Sequence, residues 1–153
     1  MSSPAIYQTD FPRLTETQTV GIALEQMLGN RISDLPVVDA SGALLGMFKL
    51  EKLYAKLLPR AALLGKGLHD LSFVSDTLEE LRGRMHAIEG DLVRDYVDKV
   101  DEVVHPDTPP VEIVLLLHNG ANNVPVVERD SGRLVGMVSS RDLLATLHGG
   151  AGK

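Results

Sequence analysis

Ser139, Arg141 and Asp142 put a hydroxyl, a guanidinium and a carboxylate within a span of four residues. They fall where a β-rich run, Leu134 to Val138, hands over to a run with helical character. The first turn of a helix carries unpaired N–H groups and a partial positive charge, which suits an anion. A serine hydroxyl donates to a phosphate oxygen, and an arginine offers a fork of donors matched to phosphate. An ionised aspartate accepts from paired hydroxyls such as those of a ribose. The same residues have a plainer reading, in which Ser139 or Ser140 caps the helix and Asp142 favours its dipole. Local spacing leaves both open.

Other chemistry is poorly provided for. Ser139 has no identifiable histidine partner, and no paired-carboxylate arrangement stands out, so no enzyme activity is expected. His86 and Glu89 are three residues apart, but one such pair falls short of a metal site. Cysteine is absent, which excludes disulfides and thiolate ligands and fits a reducing cytoplasm. Gly149-Gly150-Ala151-Gly152-Lys153 mimics the end of a phosphate loop but has no helix to follow it. The net charge of −6 and the scarcity of aromatic residues argue against nucleic acid as a partner. An anionic ligand must therefore be held by a local arrangement. No apolar run reaches the roughly 18 residues of a membrane span, so no membrane insertion is expected. Lys49 to Lys66 mixes basic residues with leucines and has some character of a membrane-surface segment. Pro59 and the glycines interrupt it, which favours a solvated helix with a core face. Met1 to Asp10 lacks the basic-then-apolar order of a secretory leader, and a cytoplasmic location is expected.

The positioning elements occur twice. Leu35-Pro36-Val37-Val38-Asp39 is repeated as Val124-Pro125-Val126-Val127-Glu128. Ser41-Gly42-Ala43-Leu44-Leu45-Gly46-Met47-Phe48 returns as Ser131-Gly132-Arg133-Leu134-Val135-Gly136-Met137-Val138, with one residue inserted in the turn between the two motifs. Each half opens with a helix, Val20 to Leu28 or Val111 to His118. A turn at Gly29-Asn30 or Asn119-Gly120 leads to a short strand, a Ser-Gly turn and a second strand. A closing helix starts near Leu50 or Ser140. This α-β-β-α unit is too small to bury its own apolar face, so two copies must pack together.

These repeated residues resemble the cystathionine-β-synthase-type (CBS) domain family: an apolar-Pro-Val-Val strand, an acidic-x-Ser-Gly turn, then Gly-apolar-apolar-Ser-x-x-Asp-Leu. The second half holds the last motif intact as Gly136-Met137-Val138-Ser139-Ser140-Arg141-Asp142-Leu143. The resemblance implies an α/β fold of two repeats packed sheet to sheet as one pseudo-symmetric module. It implies a regulatory role, a homodimer, and a cleft that binds an adenine nucleotide. Met137, Val138, Ser139, Arg141 and Asp142 would face Ile32, Ser33, Asp34, Leu35 and Pro36, with Ile32 on the base and Tyr7 to Pro12 along the same cleft. Asp34 stands where some family members carry a basic residue near the phosphates, which favours AMP or ADP over ATP. The output would pass to an effector protein that the sequence does not name. Two alternatives stay open: a ligand-free scaffold or dimerisation module, and the same cleft holding S-adenosylmethionine or a dinucleotide.

The resulting organisation is a first repeat with its N-terminal segment (1–55), an inter-repeat helical segment (56–99), a second repeat (100–147) and a disordered tail (148–153). In the middle segment Asp76-Thr77-Leu78-Glu79 reads as a capping-box start. Leu78, Leu81, Met85, Ile88 and Leu92 continue it as an amphipathic helix, lying over the pair's own core or forming a partner surface. The matching cleft would take Lys49-Leu50-Glu51-Lys52 in place of Ser-x-x-Asp, opposite Ala121, Asn122 and Asn123. With Lys49 for the hydroxyl and Lys52 for the acid, that cleft is expected to be the poorer of the two, either empty or holding a bare phosphate.

Overall fold

Thr19 takes an extended conformation and its hydroxyl accepts from the Ile22 N–H, which starts helix α1 at Val20–Asn30. Val20, Ala23 and Met27 fall on one face of α1 and are buried. The helix ends at Arg31, which takes a left-handed conformation with φ 56°. The turn read at Gly29-Asn30 is therefore still helical, because the Ile32 N–H reaches back to Met27 O at 3.0 Å and closes the helix there. The structure is a computed structural model that describes residues 6–58, 77–100 and 102–149.

Two hairpins follow the pattern of the repeat. In the first half β1 (Leu14–Thr15) lies parallel to β2 (Asp34–Val38), which pairs antiparallel with β3 (Leu44–Lys49). In the second half β4 (Asn123–Val127) pairs antiparallel with β5 (Leu134–Ser139). Leu35 to Val38 and Val124 to Val127 are buried on both faces, as unbroken apolar strands require. The short strand β1 was not foreseen in the sequence, since two residues carry no periodicity. Helices α2 (Leu50–Leu57) and α5 (Ser140–His148) leave directly from β3 and β5, and α4 (Pro110–His118) precedes β4.

Helix α3 (Leu78–Ile88) starts one residue later than the expected capping box. Thr77 and Glu80 form the box, with Glu80 N–H donating to Thr77 Oγ1 at 3.1 Å and Thr77 N–H to Glu80 Oε1 at 2.8 Å. Met85 and Ile88 rest on the core of the first half, and Arg84 donates to Leu57 O at 2.8 Å, tying α3 to α2. The helix stops at Ile88, so Leu92 lies beyond it. Leu78 stays 70% exposed. Asp76 and residues 59–76 as a whole lie outside the described residues, and so does much of the basic, leucine-bearing stretch. Of the expected tail, His148 ends α5 and Gly149 caps it with φ 97°, while residues 150–153 lie outside the described residues.

The halves are joined at both ends of the hairpins. At the tips, Leu44 N–H donates to Gly132 O (3.0 Å) and Leu134 N–H to Gly42 O (2.9 Å), a reciprocal pair about a local two-fold. Each outer strand is also covered by the segment that precedes the other half. Gln8 exchanges two backbone bonds with Met137 of β5, at 2.8 and 2.9 Å. Asp98 does the same with Met47 of β3, both at 2.9 Å. These crossings protect strand edges that would otherwise stay open. Gly46 and Gly136 make them possible, because a Cβ at either position would collide with the carbonyl oxygen of Asp98 or Gln8.

Candidate functional site

The two halves place equivalent helix starts at the ends of β3 and β5, at Lys49 and Ser139. In the cleft anticipated from sequence, Ser139 is the N-cap of α5, and its Oγ accepts from the Asp142 N–H at 3.1 Å. The capping role is thus present, and the hydroxyl keeps its own proton free to donate. Asp142 is half-buried, and its carboxylate accepts no hydrogen bond from any described residue. Arg141 is exposed. Leu35, Pro36, Met137 and Val138 turn their side chains into the core, so only their backbone is available to a ligand. Met137 already spends its N–H and C=O on Gln8. Ile32 is half-buried against the first core cluster.

Ser33 and Asp34 line a cavity of about 700 Å³ that opens on the opposite cleft. Its walls are Met47, Lys49, Leu50, Glu51 and Tyr54 from the first half, and Gly120 to Val124 from the second, with Lys99, Val100 and Glu102 from the crossing segment. This is the cleft expected to be poorer, and it holds a cavity of ligand size. Lys49 is the N-cap of α2 and makes no capping bond. Lys52, which stands where the second half has Asp142, is bound to Asp98 at 2.6 Å. Both side chains are about 40% exposed, so the pair is a surface ion pair.

Asp34 links the two halves. Its Oδ1 accepts from Asn123 Nδ2 at 2.6 Å, across the junction of the halves. Burial pushes its carboxyl above the ordinary value of 3.8, more than the Asn123 bond and the nearby Lys49 charge pull it down. Its Oδ2 accepts no hydrogen bond from a described residue. Sequence reasoning missed this contact and the Lys52–Asp98 pair, because each joins residues far apart in the chain. The one available signal was that Asp34 and Asn123 occupy the same place in the two repeats.

No group of three or more histidine or acidic residues gathers as a metal site among the described residues. Within the same residues, no helix is long and apolar enough to cross a membrane.

A tandem α/β pair, with a cavity lined by both halves, defines the class of this protein. The family model of the CBS domain matches residues 5–58 and 93–149, well over half of the chain. The chain belongs to the CBS domain family and contains a tandem pair of such domains. It is similar to the structure of the CBS-pair protein CBSX2 from Arabidopsis thaliana, at 20% identity and a TM-score of 0.69, over 93% of this chain and 89% of that one. A CBS domain-containing protein from Kribbella flavida gives a TM-score of 0.73 at 20% identity, over 94% of this chain and 95% of that one. CBSX2 in complex with AMP gives 0.64 at 22% identity, over 93% and 90%. At these identities the likeness is one of fold. No curated protein matches the sequence.

Proposed function

We propose that the chain is a regulatory module that binds an adenine nucleotide, AMP or ADP in preference to ATP, and passes its ligand state to an effector protein. The ligand lies where Ser139, Arg141 and Asp142 meet Ile32, Ser33, Asp34, Leu35 and Pro36. The observation that carries this reading is Asp142. It is a half-buried carboxylate at the first turn of α5, without a partner among the described residues, behind a serine that retains a free O–H. That pairing suits a ribose diol next to a phosphate, and Arg141 completes the phosphate contact. The AMP complex of CBSX2, a protein of the same fold, supports the ligand class. The module works by population shift, since a ligand that bridges both halves favours the arrangement it binds best. It acts in the cytoplasm as a homodimer and catalyses no reaction.

Thermal unfolding of the purified chain with AMP, ADP, ATP, NAD and S-adenosylmethionine tests this. A ligand at 100 times its dissociation constant stabilises the native state by about 2.7 kcal/mol, a rise of a few degrees for this size. AMP or ADP is expected to raise the midpoint most, and Asp142→Ala to remove most of that rise. A panel that leaves the midpoint unmoved sinks the reading and favours a ligand-free scaffold. A response to S-adenosylmethionine or NAD that AMP cannot compete away reassigns the ligand.

A further inference from the structure

The two crossings over the outer strands match closely. Gln8 exchanges backbone bonds with Met137 as Asp98 does with Met47. A Cβ at Gly136 would meet the Gln8 carbonyl and the Tyr7 ring, and one at Gly46 the Asp98 carbonyl and the Val97 side chain. Each strand then ends in a helix N-cap of the same conformation, Ser139 with φ −114° and ψ 159°, Lys49 with φ −118° and ψ 142°. Asp142 and Lys52 stand at the same place in the first turn of the helix that follows.

In the first half the side chains at these two places meet, with Lys52 Nζ 2.6 Å from Asp98 Oδ1. The equivalent pair in the second half is Asp142 and Gln8. Neither side chain has a hydrogen-bond partner among the described residues. The polar roles are also exchanged, since here the helix carries the carboxylate and the crossing segment carries the donor.

We infer that Gln8 is a further ligand-reading residue of the proposed nucleotide site, and that its side-chain amide shares one ribose hydroxyl with Asp142. The inference rests on the adenine-nucleotide reading and adds the crossing segment to it. A hydroxyl both donates and accepts. Its O–H donates to the Asp142 carboxylate, and its oxygen accepts from the Gln8 Nε2–H. Glutamine ends an atom sooner than lysine, so Gln8 and Asp142 together have a shorter reach than Lys52 and Asp98. The space left between them suits a bridging oxygen. Asp142 is half-buried and Gln8 is exposed, so a ligand can enter between them. In the first half the Lys52–Asp98 bond closes the corresponding space.

Two measurements on the full chain test this. The first asks, without ligand, whether the side chains at 8 and 142 meet. Gln8→Lys supplies a cation that should pair with Asp142 as Lys52 pairs with Asp98. At low salt it should raise the unfolding midpoint by about one or two degrees, the effect of an exposed ion pair. The rise should vanish in an Asp142→Ala background and at about 1 M salt. If Gln8→Lys moves the midpoint equally in both backgrounds, Gln8 stands away from Asp142, and the inference fails while the nucleotide reading survives.

The second is calorimetric titration with AMP, 2′-deoxy-AMP and 3′-deoxy-AMP. Gln8→Ala keeps both bonds to Met137, because they use the main chain. It should weaken AMP by about three- to tenfold, the worth of one hydrogen bond. The same loss should appear for one deoxynucleotide and be absent for the other, which lacks the shared hydroxyl. Equal losses for all three mean that Gln8 acts only by seating the segment, and unchanged affinities mean that it touches no ligand. Either result overturns the inference and leaves the nucleotide reading standing. A wild type that binds none of the three overturns both.

Discussion

Asn123 donates to Asp34 at 2.6 Å, and this bond joins the first residue of β4 to the first residue of β2. In the strand registers Asp34 lies opposite Lys49 and Asn123 opposite Ser139. Lys49, Asp34, Asn123 and Ser139 therefore form a polar row that runs from one cleft to the other. The hairpin tips are tied by backbone bonds, whereas among the described residues the hairpin entries are tied by this side-chain contact.

The protonation of Asp34 gives the row a pH dependence of known sign. Its carboxyl titrates above 3.8 in the fold, chiefly through burial. Between that ordinary value and the raised one, the native state holds more protons than the unfolded state. Stability from this group thus falls as pH rises through the window and returns as pH falls. Asp34→Asn keeps an acceptor for Asn123 and removes the charge. Its unfolding midpoint at neutral pH should equal or exceed that of the wild type, with a smaller gain on acidification. Asn123→Ala leaves the carboxylate without its donor and should cost about 1 kcal/mol at neutral pH, less near pH 4. Denaturant titrations across this range check both, and an Asp34→Asn variant weaker than the wild type at neutral pH contradicts the account.

Gly46 and Gly136 are expected to be intolerant of alanine, but unequally. A Cβ at Gly46 meets the carbonyl of Asp98, and one at Gly136 meets that of Gln8. Asp98 is held on both sides, by the Val93–Tyr96 turn and by Val104, which pairs with Val126. Among the described residues, the hydrogen bonds of Gln8 are the two to Met137, so its segment shifts more readily. Gly46→Ala should cost about 1–3 kcal/mol, the range of overpacking, and Gly136→Ala less. Urea unfolding measures both. The Gly136 variant should also weaken nucleotide binding, since the displaced segment runs along β5.

Much of this fold was legible because the second half restates the first. The paired Pro-Val-Val strands and Gly-apolar runs set the hairpins, and the helix starts at Leu50 and Ser140 were read at the right residues. The starts were clear because a strand feeds each one directly. The bounds of α1 and α3 were less clear. Arg31 takes a left-handed conformation that its residue type does not announce, and the cap of α3 is Thr77, boxed with Glu80. For the sites, the motif Ser139 to Asp142 was visible as a local pattern. The opposite cleft was placed too, through Lys49 to Glu51 and Ala121 to Asn123, but not the wall that Lys99, Val100 and Glu102 add, because that segment carries no part of the repeated motif. The Lys52–Asp98 pair was hidden for the same reason.

Self-association should run through the second half. Val111 and Leu115 of α4 and Leu144 and Leu147 of α5 are each more than half exposed. In the first half, α3 packs against α2 and lays Met85 and Ile88 on the core beside it. Leu115→Lys combined with Leu144→Lys should therefore convert a dimer to a monomer in sedimentation velocity. Tyr54→Lys on α2, although also an exposed position, should not. Equal loss from both would place the interface across both halves.

Exchanging the ion pair at Lys52 should transfer sugar recognition from one cleft to the other. Lys52→Asp alone takes the cation from Asp98 and puts a second carboxylate in its neighbourhood, and the like charges repel. Asp98→Asn removes that repulsion and offers an amide donor to orient the new carboxylate. Lys49 is left in place for the phosphate. The loss of the exposed pair costs less than about 1 kcal/mol, so the double variant should fold. Combined with Asp142→Ala to silence the first cleft, it is expected to bind AMP more tightly than 2′-deoxy-AMP by about three- to tenfold, the worth of one or two hydrogen bonds to hydroxyls. The Asp142→Ala parent should show no such preference. If the double variant gains no preference, the carboxylate at this position does not reach the sugar, and the difference between the clefts must lie in their shape.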